Sequence, residues 1–228
     1  MLVIAHKGLR NALRLFIPLC LIPLTVWIGV ALLSPKQYWI VIGAVAVWSL
    51  LLFSAGFEEK KVGARRMVIV AILIALSVAG RMIPFFKPIT AITIIAALYL
   101  GGEAGFLVGA LSALLSNFMF GQGPWTPFQM LAWGLIGLLA GLLRFPLGKS
   151  RSLLLVYGVG SGVLYSLVMD LWVMLSGDGT VGWTVYGAAV IASIPHTLLY
   201  AFSNLIFLWF MAKPFGDKLA RIQLKYGI

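Results

Sequence analysis

The chain has 228 residues, of which 62% are hydrophobic and only 10% charged, with 17 Lys and Arg against 6 Asp and Glu. Soluble domains are about half apolar and a quarter charged, so this composition excludes a water-soluble fold; with Cys20 the single cysteine, it also excludes internal disulfides and thiolate metal clusters. A net charge of +11 would point to nucleic acid in a soluble protein, but in a membrane chain it points to orientation, because basic residues collect in short cytoplasmic loops.

In chain order, Lys7, Arg10 and Arg14 precede the apolar stretch Leu15 to Leu33. That stretch is too long for the core of a signal peptide and has no clear small-x-small cleavage site, so it reads as a retained helix. With about 20 residues per crossing, further apolar stretches give spans near 11–34, 38–56, 66–80, 88–102, 104–120, 127–143, 152–176 and 185–212, eight in all. The third and fourth are short and are compatible with a re-entrant pair, which would leave six crossings and the same parity. A β-barrel would need ~10-residue segments of alternating character; Leu153 to Leu175 is instead apolar on nearly every face. The expected fold is therefore an all-α integral membrane protein. The basic segment Gly56 to Arg66 divides a two-helix N-terminal extension, residues 1–63, from a six-helix unit, residues 64–228.

With a cytoplasmic N-terminus, every Lys and Arg except Lys36, Arg81 and Lys87 falls on the inner side. This asymmetry places both termini in the cytoplasm. The outer loops of the six-helix unit are then 81–88, 121–126 and 177–184, rich in Gly, Pro and Trp.

Several residues stand out as carriers of chemistry. Ala71, Ala75 and Ala79 put a small residue at every fourth position of one helix, which lets another helix approach closely, either inside this chain or from a partner. Gly105 with Gly109, and Gly137 with Gly141, repeat the spacing. Asp170 is the one acidic residue within a predicted span, near its outer end, where it either contributes to function or pairs with Arg81. His196 follows Pro195 in the last span; a proline there leaves a carbonyl unpartnered and can open a polar recess, although a lone membrane histidine is more often a packing residue. Asn117 to Trp133 is the most informative segment: Asn117, Gln122, Gln129, Trp125 and Trp133 combine amides with flat apolar rings around an irregular outer loop, which is ligand-pocket chemistry. An aromatic belt at the headgroup level would explain Trp125 but not the two glutamines.

The run Ala64 to Arg81 with its alanine stripe, the segment Gly102-Glu-Ala-Gly-Phe-Leu-Val-Gly-Ala-Leu-Ser-Ala and the stretch Asn117 to Trp133 together resemble the S components of energy-coupling-factor (ECF) transporters, most nearly those of the cobalamin type. The resemblance covers residues 64–212. It implies a six-helix subunit that captures a vitamin from outside and works with a transmembrane T component and two cytoplasmic ATPases. It implies that Ala71, Ala75 and Ala79 face the T component, and that ligand lies on the outer side among Gln122, Trp125, Gln129, Asp170 and Trp183. In the outer loops themselves Arg81 and Lys87 are available for a phosphate. No cofactor belongs to this chain in that reading; ATP is used by the partners, consistent with the lack of a phosphate-binding Gly-x-x-x-x-Gly-Lys-Ser/Thr loop. The two-helix extension departs from the six-helix pattern, and aromatic, amide-rich loops also suit riboflavin.

Other classes fare worse. An intramembrane protease using Ser161 and His196 lacks the Gly-x-Ser-Gly pattern, since the chain reads Val159-Gly160-Ser161-Gly162. A metal-dependent phosphate enzyme needs clustered acids, whereas Glu103 and Asp170 are expected on opposite sides of the membrane. A single-chain transporter driven by protons through Asp170 or His196 is the main rival.

Overall fold

The computed structural model describes residues 7–55, 60–176 and 182–227, which are helical with short connections and contain no strand. Five helices among these residues are long and apolar enough to cross a membrane, and two shorter apolar helices lie between them. The protein is therefore an all-α, multi-pass membrane protein. Residues 56–59, which include Glu58 and Glu59, and residues 177–181 lie outside the described residues.

The chain enters as α1 (Lys7–Phe16), passes through a π-helical turn (Ile17–Leu21) and continues as α2 (Ile22–Leu32). Pro18 lies inside the widened turn and Pro23 just after it; each removes a backbone donor that a regular helix would use, and a π turn accommodates the loss. The hairpin closes at Ser34, where the Gln37 side chain accepts from the Ser34 N–H at 3.0 Å, and returns as α3 (Tyr38–Ala55) with Gly29 lying against Val41. This extension does not stand apart from the rest. It packs on the six-helix unit through α3, and Arg14 reaches Glu103 at 2.8 Å.

The six-helix unit comprises α4 (Lys60–Gly80), α5 (Ile89–Leu100), α6 (Gly102–Phe120), α7 (Thr126–Leu142), α9 (Arg151–Leu175) and α10 (Trp183–Tyr226), with the short α8 (Arg144–Lys149) between α7 and α9. At 1.5 Å per residue, α4 is about 30 Å long, with Lys60, Lys61, Arg65 and Arg66 in its first turns, whereas α5 is only about 18 Å. The brevity of α5 goes with its position. Ile89 through Ala97 are all buried, as expected of a helix that is apolar on every face and has neighbours all round. It sits at the centre, against α4, α6, α7, α9 and α10.

The closest approach is between α6 and α7. A Cβ at Gly137 would run into the backbone of Gly105, one at Gly141 into Gly102, and one at Gly109 into the Trp133 carbonyl. These small-residue pairs are thus internal packing, which brings two backbones together where side chains would hold them apart. On the other side of the bundle α9 and α10 pair through Gly162 against Ala201, and Asn204 Nδ2 donates to the Gly158 carbonyl at 2.9 Å.

The final helix runs well past the expected 185–212. Pro195 and Pro214 both lie inside α10, which continues for 44 residues. Its last turns carry Lys213, Lys218, Arg221 and Lys225 and are anchored beneath α5, where Gln223 Nε2 donates to the Tyr99 carbonyl at 2.5 Å and Leu219 is buried.

Candidate functional site

The α4–α5 connection, the 121–125 loop and the first turn of α7 meet at one end of the bundle, called here the loop end; the charge pattern expects it to face outward. At this end α4 is followed directly by Arg81, whose Nη1 donates to Ser116 Oγ at 2.5 Å and to Asn117 Oδ1 at 2.7 Å, both on α6. Its guanidinium lies over the rings of Phe120 (5.0 Å) and Trp133 (5.3 Å), a favourable arrangement of cation and π-face. Asn117 passes the network on, with Nδ2 donating to Gln129 Oε1 at 2.7 Å and to Thr126 Oγ1 at 2.9 Å. Gln129 Nε2 then donates to the Tyr165 hydroxyl on α9 at 3.1 Å.

Aromatic rings cover this polar chain. Trp133 is fully buried, stacks on Tyr165 with ring centres 4.6 Å apart, and donates from Nε1 to Thr90 Oγ1 at 3.1 Å. Tyr165 in turn meets Tyr200 of α10 at 4.9 Å. Five helices, α5, α6, α7, α9 and α10, together with Arg81 after α4, thus contribute to a single assembly in which amides are held in fixed orientation by their hydrogen bonds. Buried polar groups survive in an apolar interior only when partnered in this way.

Lys87 closes the α4–α5 loop. Its Nζ donates to the carbonyls of Arg81 (2.7 Å) and Ile83 (3.0 Å) and lies 5.3 Å from the Phe120 ring, while its N–H donates to Ser203 Oγ at 2.8 Å. Desolvation, followed by the Arg81 charge, holds the amine below its ordinary pKa. Two cations at one loop end with aromatic rings beside them form a surface that an anionic or electron-rich ligand would relieve.

The other expected site residues divide into three groups. Gln122 is a loop staple: it donates to the Leu114 carbonyl at 2.8 Å and accepts from Thr126 Oγ1 at 3.0 Å. Trp125 instead forms part of the wall of a cavity of about 400 Å³ on the other flank of α7, with Tyr38, Phe128 and Trp172; the Phe128 and Trp172 rings are 5.5 Å apart. Asp170 is buried on α9 and accepts from Ser193 Oγ of α10 at 2.8 Å; among the described residues it forms no ion pair with Arg81. Trp183 is 82% exposed at the start of α10, and His196 lies on the exposed side of that helix, so neither joins the network. Nor does a Ser161–His196 dyad form: Ser161 is buried and donates to the Tyr157 carbonyl at 2.8 Å.

Sequence reasoning passed over Thr90, Ser116, Phe120, Thr126, Tyr165 and Tyr200. A signal for one of them was present. Tyr157, Ser161 and Tyr165 recur at every fourth position of an apolar helix, a polar stripe that marks the inward face.

The alanine stripe occupies a different surface. Ala71, Ala75 and Ala79 are exposed, together with Ile72 and Leu76, whereas Leu73, Ile74 and Ser77 turn inward. Beside the stripe an apolar groove of about 630 Å³ runs between α4 and the end of α10, lined among others by Ile72, Leu76, Phe215 and Ile222.

Residues 61–213 match the family described as ECF-type riboflavin transporter, S component. The chain belongs to that family. The match covers the six-helix unit from the first turn of α4 to the last apolar turns of α10 and omits the N-terminal hairpin. No curated protein and no solved structure matches the chain. ECF S components are the substrate-binding membrane subunits of transporters that have T-component and ATPase partners, and the family is one of transporters rather than of enzymes.

Proposed function

We propose that this S component captures a vitamin from the outer side of the cytoplasmic membrane, with both termini inside. The observation that carries the reading is the convergence of Arg81, Asn117, Gln129 and Trp133, chosen from sequence for ligand-pocket chemistry, on one network with Tyr165 at the loop end. Opening of the 81–88 loop, which Lys87 pins to α10, would expose these amides and rings to a heterocycle that can both stack and accept hydrogen bonds. The 400 Å³ cavity beside Trp125 falls within the usual size range for small-ligand sites.

Riboflavin is the favoured cargo, on two grounds: the description of the matching family and the preference of paired rings for a flat heterocycle. Cobalamin, which the loop chemistry and the nearest subfamily resemblance favour, is the second reading. A corrinoid is far bulkier than a flavin ring and would need the loop end to open much further.

Delivery would depend on a T component docking on the exposed alanine stripe and on two ATPases that hydrolyse ATP; the chain itself would use no cofactor. Exposure of the stripe supports this, because small residues facing outward from a membrane helix leave room for a second helix to approach. The test is calorimetric titration of the purified chain with riboflavin, cobalamin, thiamine and biotin. One-to-one binding of riboflavin is the expected result; binding of cobalamin alone would shift the cargo to the second reading, and silence across the panel would remove the capture role.

A further inference from the structure

The N-terminal hairpin lies outside the family match at residues 61–213, yet it closes the cavity of about 400 Å³ beside Trp125. Among the described residues the lining comes about equally from the two parts of the chain: Val30 of α2, Leu33 of the hairpin turn and Tyr38 of α3 line it together with Trp125, Phe128 and Trp172. Both hairpin helices pack on α7. They also touch one another at this wall, since Gly29 lines the cavity and an added Cβ there would run into Cγ2 of Val41. On the other side the benzene edge of Trp125 lies directly on Gly123, and Phe128 meets Trp172 with ring centres 5.5 Å apart. Close packing thus fixes each wall.

The chemistry of the walls describes what fits between them. Tyr38, Trp125, Phe128 and Trp172 set four rings around one space, and aromatic faces take flat partners by offset stacking. Tyr38 adds a hydroxyl and the tryptophans add indole N–H groups, which only donate, so the ligand is one that carries acceptors. A saturated acyl chain would fill the space and use none of these donors. A flat heterocycle with ring nitrogens and carbonyl oxygens would use both the rings and the donors, the usual division of labour in a small-ligand site. Gln129, next to Phe128 in the chain, belongs to the Tyr165 network, so the first turns of α7 carry the cavity on one flank and the network on the other.

We propose that the hairpin supplies one wall of the vitamin site: a flat, acceptor-bearing ring lies in this cavity against Tyr38 and Trp125, and the network across α7 is left to the polar part of the molecule. The inference rests on the capture reading above and adds to it a cargo-selecting element from outside the six-helix unit. Tyr38 and Val30 are the hairpin residues that would choose between ligands, Tyr38 by its ring and hydroxyl and Val30 by the space it leaves.

The test is calorimetric titration of the purified full chain and three hairpin variants with riboflavin. Silence in the wild type would remove the capture of a flavin, and this inference with it. Given binding by the wild type, Val30→Phe should lower affinity about tenfold, because the new ring takes space that the ligand needs and overpacking is penalised on that scale. Tyr38→Phe, which keeps the ring and removes only the hydroxyl, should lower it about fivefold, the scale of one hydrogen bond. Leu24→Phe, on the exposed side of α2 away from the cavity, should bind as the wild type does. Wild-type affinity in folded Val30→Phe or in Tyr38→Phe would overturn the proposal and leave capture standing. An equal loss in Leu24→Phe would also overturn it, since the effect would then come from hairpin packing rather than from the cavity.

Discussion

Two stripes of small residues share one spacing and meet opposite fates. On α6 and α7, Gly105, Gly109, Gly137 and Gly141 are pressed against backbone of the facing helix. On α4, Ala71, Ala75 and Ala79 lie exposed beside Ile72 and Leu76. A repeat of small residues at every fourth position says only that close approach is possible; whether the approaching helix belongs to the same chain depends on the rest of the helix. Here the distinction tracks residue type. The glycines are needed because two backbones touch, while the alanines keep a small side chain on a surface that this chain leaves open.

Substitutions can break the comparison at either stripe. Gly137→Leu should abolish folded protein or cost more than ~4 kcal/mol, since the new side chain meets the Gly105 backbone and no rotamer avoids it; size-exclusion and thermal unfolding in detergent would read this. Ala75→Glu should leave folding and ligand binding by the isolated chain unchanged and eliminate capture of the T component, because a charge cannot enter a close helix contact in lipid. Loss of vitamin binding with assembly intact would reverse that assignment.

Smaller effects sharpen the contrast between the two candidate ligand sites on α7. Gln129→Ala and Trp125→Ala should each weaken vitamin binding by about 1–3 kcal/mol, the scale of a lost buried contact; calorimetry of the two variants tells the Tyr165 network from the Trp125 cavity as the ligand site, whichever loses affinity more. His196→Phe should change unfolding and binding by less than ~0.5 kcal/mol, because His196 sits on the exposed side of α10. A large loss of uptake in that variant would revive a proton-carrying role.

The helices were legible because their apolar stretches are long and the turns between them carry Gly, Pro and charge. Arg81, Asn117, Gln129 and Trp133 were legible because amides and a cation beside tryptophan are out of place in lipid unless they meet. Tyr165 and Tyr200 were not, since a tyrosine in an apolar helix fits an interfacial belt as well as a buried hydrogen bond. The docking of the hairpin on α6 and α7 was invisible for another reason: apart from the Arg14–Glu103 pair the two surfaces are largely apolar, and hydropathy does not tell lipid from protein. The extra turns of α10 were hidden by Pro214, which normally ends a helix in a sequence reading, yet the helix passes through it and is held beyond by Leu219 and Gln223.

The central claim is that this chain is a capture subunit whose energy comes from partners. It is tested most directly by vitamin uptake into vesicles holding the chain alone or together with a T component and its two ATPases. The account predicts uptake only in the complete assembly, dependent on ATP and indifferent to a protonophore. Uptake by the chain alone, driven by a proton gradient and lost on replacing Asp170, would contradict it.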